Sequence, residues 1–197
     1  MLNIVLFGPP GAGKGTQSEH LISRYNLMHI STGDILRNAI EQKTPRGIQA
    51  QQYMNRGELV PDELVIGIIG RRLEEHRDKV KGFIFDGFPR TTNQAIELDN
   101  MLAQKGTSIS LILGLEVEQN ELVVRMENRG KLTGRADDQN IEIIQTRINI
   151  YNQTTHPVME YYKEQGKYVG INGMGTIDEI FQRICTAVDQ TISASKQ

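Results

Sequence analysis

Short apolar runs alternate along the chain with helix-length segments. The runs, the last of them weaker, are residues 3–8, 83–87, 110–117, 167–172 and 28–31. Because they are apolar at successive positions without helical spacing, they predict strands that are buried on both faces. The segments that separate and follow them predict helices at about 14–25, 33–42, 45–56, 62–76, 92–105, 118–129, 140–164 and 177–192.

This alternation predicts an α/β fold with a parallel sheet that is covered by helices on both faces. Two regions interrupt it. Residues 32–61 hold two predicted helices with no strand between them. Residues 129–138 are polar and charged, contain two glycines, and predict an exposed loop. Both regions are candidates for mobile covers over a site.

Composition narrows the class of protein. A chain of 197 residues, 38% of them apolar, forms one α/β domain with a substantial core, and its net charge of −2 gives no reason to expect nucleic acid or an anionic membrane as a partner. The single cysteine, Cys185, excludes an internal disulfide and a cysteine-built zinc site. No apolar stretch approaches the length of a membrane span or a signal peptide. We therefore expect a cytoplasmic protein, and nothing requires more than a monomer.

The segment GPPGAGKGT, residues 8–16, has the composition of a phosphate-binding loop. Its glycines permit positive φ, so backbone N–H groups can turn towards anionic oxygens at the start of the next helix. Lys14 is placed to bridge the β- and γ-phosphates. The strict pattern has Ser or Thr after the lysine, whereas this chain has Gly15 there and a hydroxyl one residue later, at Thr16.

A second polar group follows the strand predicted at 83–87. Asp86 ends this strand, where a carboxylate near a phosphate loop can hold Mg²⁺ directly or through water. For Asp86 alone, a turn at the strand end is the alternative. Arg90 follows Pro89 and can bring a planar, bidentate cation to the same place.

Further arginines favour phosphoryl transfer. Arg125 and Arg129 are four residues apart and share a helix face, Arg135 follows in the polar loop, and Arg147 lies on the next long helix. Arginines that stabilise a migrating phosphoryl group contribute about 10³–10⁵ in rate. Spacing alone leaves solvated surface charge as an equal alternative.

The segment STGDILR, residues 31–37, begins a predicted helix. Thr32 is expected to cap it, and Asp34 suits its first turn. These structural roles leave Arg37 unexplained.

Five motifs together resemble the adenylate kinases, in order and over nearly the whole chain. They are GPPGAGKGTQ, STGDILR, GELVPDELV (57–65), DGFPRTTNQ (86–94) and GRADD (134–138). In that family GKGT is the usual form of the loop, so Gly15 is not a defect. The resemblance implies the P-loop NTPase fold with a five-stranded parallel sheet, and the reversible, Mg²⁺-dependent reaction ATP + AMP ⇌ 2 ADP.

The resemblance also implies a division of the single kinase domain, residues 1–197. The core matches residues 1–30, 61–127 and 139–197, the AMP-binding insertion matches 31–60, and the lid matches 128–138. The lid is short, as in the compact-lid members, so no structural zinc is expected.

Individual residues take roles from the same resemblance. The ATP site matches Gly11, Ala12, Gly13, Lys14, Gly15, Thr16, Arg125, Arg129 and the backbone of Gly175. The AMP site matches Thr32, Arg37, Glu58, Leu59, Val60, Gly87, Phe88, Pro89, Arg90, Gln94, Arg135 and Arg147. The expected catalytic residues are Lys14, Arg90, Arg125, Arg129, Arg135 and Arg147. Asp86 is the expected Mg²⁺ residue, with contact through water, and Thr16 is a second candidate.

Two other functions share parts of this pattern. UMP/CMP kinases have most of the motifs, but Thr32 and Gln94 favour AMP, because a glutamine amide offers both a donor and an acceptor to an adenine edge. A P-loop switch protein of the GTPase type is expected to show D-x-x-G and N-K-x-D elements, and the chain has neither. Adenylate kinase is therefore the predicted function.

Overall fold

A computed structural model describes residues 1–76 and 80–194 of the chain, so residues 77–79 and 195–197 of the predicted core lie outside it. Within the described residues five strands form one sheet, and all neighbouring strands run parallel. In spatial order the strands are β2 (Met28–Ser31), β3 (Gly82–Asp86), β1 (Leu2–Phe7), β4 (Leu111–Glu116) and β5 (Tyr168–Asn172). The predicted α/β fold and parallel sheet are confirmed.

Helices follow the strands and cover both faces of the sheet. They are α1 (Lys14–Tyr25), α2 (Thr32–Glu41), α3 (Pro45–Met54), α4 (Asp62–His76), α5 (Thr92–Ala103), α6 (Gln119–Thr133), α7 (Ile141–Ile150), α8 (His156–Lys163) and α9 (Ile177–Ala194). None of the helices in residues 1–76 and 80–194 is both long and apolar enough to cross a membrane.

Alternation along the strands divides the core into two layers. In β1, Val5 and Phe7 pack on one face with α4, α5 and α8 residues, whereas Ile4 and Leu6 pack on the other with α1, α6 and α9 residues. Each fully buried aliphatic or aromatic side chain of this kind contributes about 1.5–3 kcal/mol of transfer free energy. The sheet therefore lies between two apolar layers.

The helix predicted at 140–164 is interrupted. It is divided into α7 and α8 by a π-helical turn, Tyr151–Thr155. Pro157 lies in the first turn of α8, and because proline has no N–H it cannot continue the hydrogen-bond ladder of the preceding helix.

The loop predicted at 129–138 is largely helical. Helix α6 continues to Thr133, ends at Gly134 with a φ of 68°, and is followed by a 3₁₀ turn, Ala136–Asp138. Arg, Lys and Leu are good helix formers, so the polar composition of this segment is that of an exposed helix as much as of a loop. Gly130 lets the 3₁₀ turn approach, since a Cβ there would lie 2.6 Å from the carbonyl oxygen of Asp138.

The start of α2 also differs from the prediction by one residue. Ser31, not Thr32, is the N-cap, and its hydroxyl accepts a hydrogen bond from the backbone N–H of Asp34 at 3.3 Å. The hydroxyl of Thr32 instead donates to the carbonyl of Gly87 at 2.9 Å, which ties the start of the insertion to the end of β3.

Candidate active site

A cavity of about 700 Å³ opens at the carboxyl edge of the sheet, where β1, β2 and β3 end. Ligands of open α/β sheets bind at this edge. All predicted site residues lie in the described part of the chain, and all line the cavity except Ala12 and Gly175. Ala12 is 1% exposed and packs in the core, and Gly175 lies in the turn after β5 with a φ of 111°.

The loop between β1 and α1 has the geometry that an anion site needs. Gly11 and Gly13 have φ values of 84° and 93°, in the left-handed region that favours glycine. Gly13 precedes α1, and no side chain of the described residues caps that helix, so its first N–H groups are available to an anion.

Lys14 lies within this loop. Its Nζ donates hydrogen bonds to the carbonyl oxygens of Gly8 at 2.7 Å and Pro9 at 3.0 Å. Desolvation lowers the pKa of the Lys14 ammonium to about 8, and the nearby carboxylate of Asp86 opposes the shift. The lysine is therefore a cation that gains stability when a polyanion enters the loop.

Asp86 faces the same space from the end of β3. Its side chain is 15% exposed, and its Oδ2 lies 3.9 Å from Nε2 of His29 on the neighbouring strand. Within residues 1–76 and 80–194 no cluster of three or more His, Cys, Asp or Glu side chains could hold a metal by itself. One carboxylate beside a phosphate loop fits Mg²⁺, because this ion usually keeps several waters and takes phosphate oxygens as ligands.

The turn after β3 forms another part of the cavity wall. Gly87 has a φ of 75°, and its carbonyl accepts from Nε of Arg90 at 2.8 Å as well as from Thr32. Burial and the positive charge of Arg147 lower the pKa of Arg90 to about 10, so Arg90 stays cationic at neutral pH. Arg37 reaches this side from α2, where it pairs with Asp34 one turn before it.

A cluster of ion pairs joins the end of α6, the 3₁₀ turn and α7. Arg129 donates twice to Asp138, at 2.6 and 3.0 Å, and Arg135 donates twice to Asp137, at 3.1 and 2.8 Å. Arg147 pairs with both carboxylates, at 2.5 Å to Asp138 and 3.1 Å to Asp137. We call this set, Arg129, Arg135, Arg147, Asp137 and Asp138, the arginine cluster.

The carboxylates of the arginine cluster are firmly ionised. Burial alone would raise the pKa of Asp137, but hydrogen bonds from Arg135 and the charge of Arg147 lower it to about 2. Asp138 has a fully buried side chain, and against its burial the hydrogen bonds from Arg129 lower its pKa. The sequence pattern alone indicated no role for these two aspartates, although both belong to the motif GRADD.

Arg125 lies apart from this cluster. Its Nε donates to Glu121 at 2.8 Å, and both terminal nitrogens lie 3.4 Å from the carbonyl oxygen of Gly173. Arg125 therefore connects α6 with the turn after β5, which contains Gly175.

The π-helical turn was also missed as part of the site. Ile150, Tyr151 and Thr155 line the cavity from this turn. Burial raises the pKa of Tyr151 well above its ordinary value, so this phenol is neutral. Single π-helical turns often occur at functional sites, and Pro157 was the signal in the sequence that could have indicated one.

One cavity is thus lined by a glycine-rich loop with the geometry of a phosphate site and by several arginines. These are features of a P-loop kinase that acts on nucleotides. A family model described as adenylate kinase matches residues 6–167. The chain belongs to the adenylate kinase family. The predicted function, phosphoryl transfer by an adenylate kinase, is confirmed over the UMP/CMP kinase and switch-protein alternatives.

Relatives named adenylate kinase match almost the whole chain. The protein from Bacteroides thetaiotaomicron is 51% identical over 96% of this chain and 100% of its own length. The one from Parabacteroides distasonis is 50% identical over 96% of this chain and 98% of its own length. The one from Bacteroides fragilis, strain ATCC 25285, is 51% identical over 96% of this chain and 99% of its own length.

Proposed function

We propose that this cavity transfers the γ-phosphoryl group of Mg²⁺-bound ATP to AMP, reversibly, and that the predicted site residues have the roles given below. The observation that supports this most is the arrangement of the cavity. Lys14 and the start of α1, Arg90 and Gln94, and the three arginines of the arginine cluster all line it. Two anionic substrates therefore meet within one positively charged space.

The donor side binds ATP. Backbone N–H groups of Gly11 to Thr16 hold its phosphates, and Lys14 exchanges the carbonyls of Gly8 and Pro9 for the β- and γ-phosphate oxygens. Arg125 faces ATP and the migrating phosphoryl group, and the backbone of the turn that contains Gly175 helps to hold the adenine of ATP. This assignment is supported by the contact between Arg125 and the carbonyl of Gly173.

Mg²⁺ would be held by Asp86, through water, and by Thr16 together with the ATP phosphates. The ion would supply positive charge to the β- and γ-phosphate oxygens and fix their geometry. No zinc site is proposed in the short lid.

The acceptor side binds AMP. Arg37 and Arg90 hold its phosphate, Thr32, Gln94 and the segment Glu58–Val60 contact its base, and Gly87–Pro89 shape the pocket floor. No general base is needed, because the attacking oxygen of the AMP phosphate is already anionic at neutral pH. Catalysis then consists of positioning and charge compensation.

The arginine cluster stabilises the migrating phosphoryl group. Arg129 faces the donor, and Arg135 and Arg147 bridge the two nucleotides. Because Asp137 and Asp138 hold these guanidinium groups in place, little reorganisation is needed when negative charge develops on the transferred group.

Two covers close over this centre. We infer that the insertion, residues 31–60, closes over AMP and the lid, residues 128–138, closes over ATP, which keeps water from the phosphoryl group. The cavity is formed within one chain, which supports a monomeric enzyme. The unpaired, buried Cys185 is consistent with work in the reducing cytoplasm.

A panel of acceptors tests the proposal. With Mg²⁺ and ATP, AMP should be converted to ADP much faster than UMP, CMP or GMP, and the Lys14→Met variant should lose about 10³ or more in kcat while it keeps its circular dichroism spectrum. A preference for UMP or CMP would overturn the acceptor assignment. Near-normal turnover by Lys14→Met would overturn the phosphate-loop mechanism.

A further inference from the structure

Asp62, the first residue of α4, accepts hydrogen bonds from side chains that follow β3. Thr91 and Asn93 donate to its Oδ2 at 2.9 and 3.0 Å, and Nε2 of Gln94 donates to its Oδ1 at 2.7 Å. Asp62 does not line the cavity itself, whereas Gln94 does. The carboxylate of Asp62 thus contacts Gln94, a predicted AMP residue, from outside the cavity.

The amide of Gln94 is held at both ends. The side chain is 1% exposed, and its Oε1 accepts the backbone N–H of Arg90 at 2.8 Å while its Nε2 donates to Asp62. A backbone N–H cannot accept a hydrogen bond, and a carboxylate cannot donate one. A flipped amide would therefore place two donors together at one end and two acceptors together at the other.

A fixed amide has a fixed polarity towards the cavity. One N–H of Nε2 and one lone pair of Oε1 remain for a ligand. In a 6-aminopurine the exocyclic amine donates and the adjacent ring nitrogen accepts, whereas in a 6-oxopurine the carbonyl accepts and the ring N–H donates. A glutamine that can turn over pairs with either base in the same pose, and one that is held pairs with only one of them.

We propose that Asp62 is a positioning residue that fixes the polarity of Gln94 and thereby selects 6-aminopurine over 6-oxopurine monophosphates as acceptors. This inference rests on the proposed role of Gln94 at the AMP base. Two independent contacts resist the flip, and Asp62 supplies the charged one. Hydrogen bonds to charged groups are the stronger kind, so removal of this carboxylate weakens the selection substantially.

The test compares AMP with inosine monophosphate (IMP), at saturating Mg²⁺-ATP, in the full-length enzyme. The variants are Asp62→Ala, Asp62→Asn, Gln94→Ala and the double variant Asp62→Ala/Gln94→Ala. In Asp62→Ala we expect the KM for AMP to rise about tenfold while kcat and the KM for ATP stay within about twofold, and the AMP:IMP ratio of kcat/KM to fall about tenfold.

Asp62→Asn keeps the size of the side chain, and its amide can donate to the oxygen of a flipped Gln94. It should also lower the AMP:IMP ratio, which provides a second readout should Asp62→Ala fold poorly. In the Gln94→Ala background, the further change Asp62→Ala should alter the ratio by less than about twofold, because the amide through which it acts is gone.

Matched controls separate positioning from structure. Glu63→Ala removes an exposed carboxylate from the same first turn of α4, and Asn93→Ala removes another donor to Asp62. Both should keep the AMP:IMP ratio of the unmodified enzyme.

The possible results distinguish a failure of this inference from a failure of the proposed AMP site. An unchanged AMP:IMP ratio in Asp62→Ala and Asp62→Asn, or an equal loss of kcat with both acceptors, would overturn the role of Asp62 and leave the AMP site standing. An unchanged ratio in Gln94→Ala would overturn both the assignment of Gln94 and this inference.

Discussion

The ammonium of Lys14 has a pKa of about 8, close to neutrality, because the loop removes it from water. Bound phosphates favour its charged form, so the free enzyme must take up a proton to bind ATP above this pKa. At the residue scale, this determines the direction of the pH dependence: the affinity for ATP is expected to be highest below the pKa of Lys14 and to fall as the pH rises through it.

We predict that the dissociation constant of Mg²⁺-ATP is flat below about pH 7.5 and rises by up to about tenfold per pH unit above pH 8. Calorimetric titration between pH 6.5 and 9.5 measures this. Lys14→Arg keeps its charge throughout this range, so its profile should be flatter at whatever affinity it has. A flat profile in the unmodified enzyme would contradict the shifted pKa.

The sequence located individual site residues through motifs, and it missed those whose roles depend on tertiary contacts. Nearly all predicted residues line one cavity because the ends of parallel strands meet at one edge. Asp137 and Asp138 were missed because two carboxylates in a polar segment are usually solvated. Only the approach of α7 shows that Asp138 pairs with Arg147.

At the scale of elements, strands and helices were predictable because their apolar patterns are strong. The predictions were wrong where a single residue determines the point at which a helix begins or is interrupted. Pro157 interrupts a long helical pattern, and Ser31 caps α2 in place of its neighbour Thr32. Polar composition alone could not show that residues 129–133 continue α6, since exposed helices and loops share it.

Gly130 is the residue on which the packing of α6 against the 3₁₀ turn depends. A methyl group at this position would lie 2.6 Å from the backbone oxygen of Asp138 and would displace the turn that holds Arg129 and Arg147. We predict that Gly130→Ala lowers the free energy of unfolding by about 1–3 kcal/mol and also lowers kcat. Urea unfolding and steady-state assays measure the two effects.

Gly67→Ala is the matched control. Gly67 lies in α4, and a Cβ there would meet no heavy atom within 4 Å. It should raise the free energy of unfolding by about 0.5–1 kcal/mol through helix propensity, with kcat unchanged. Equal stability of the two variants would show that the turn adapts without strain.

At the scale of the whole molecule, the rigid sheet and the two proposed covers should respond differently to substrates. Since each cover is proposed to contact one nucleotide, we predict that ATP slows backbone amide exchange in residues 128–138, that AMP slows it in 31–60, and that ADP slows it in both. Hydrogen–deuterium exchange with mass spectrometry measures the protection.

Strand β1 is the internal reference for this experiment. Its amides are buried in the centre of the sheet and exchange through global unfolding, so ligand stabilisation slows them whether or not the covers move. Protection of the covers at short exchange times, before β1 exchanges at all, supports closure. Equal slowing of every segment would contradict it.

The two carbonyls that hold Lys14 act as an internal competitor for the nucleotide. An incoming anion must displace the hydrogen bonds of 2.7 and 3.0 Å from Lys14 to the carbonyl oxygens of Gly8 and Pro9. Its binding free energy is therefore what its own contacts with Lys14 contribute minus what these two hydrogen bonds contributed. A lone phosphate offers little advantage over such contacts, whereas a polyphosphate that also engages the loop N–H groups does. We therefore expect the loop to discriminate by the number of phosphates, and the carbonyls to recapture the ammonium when the product departs, which would favour turnover.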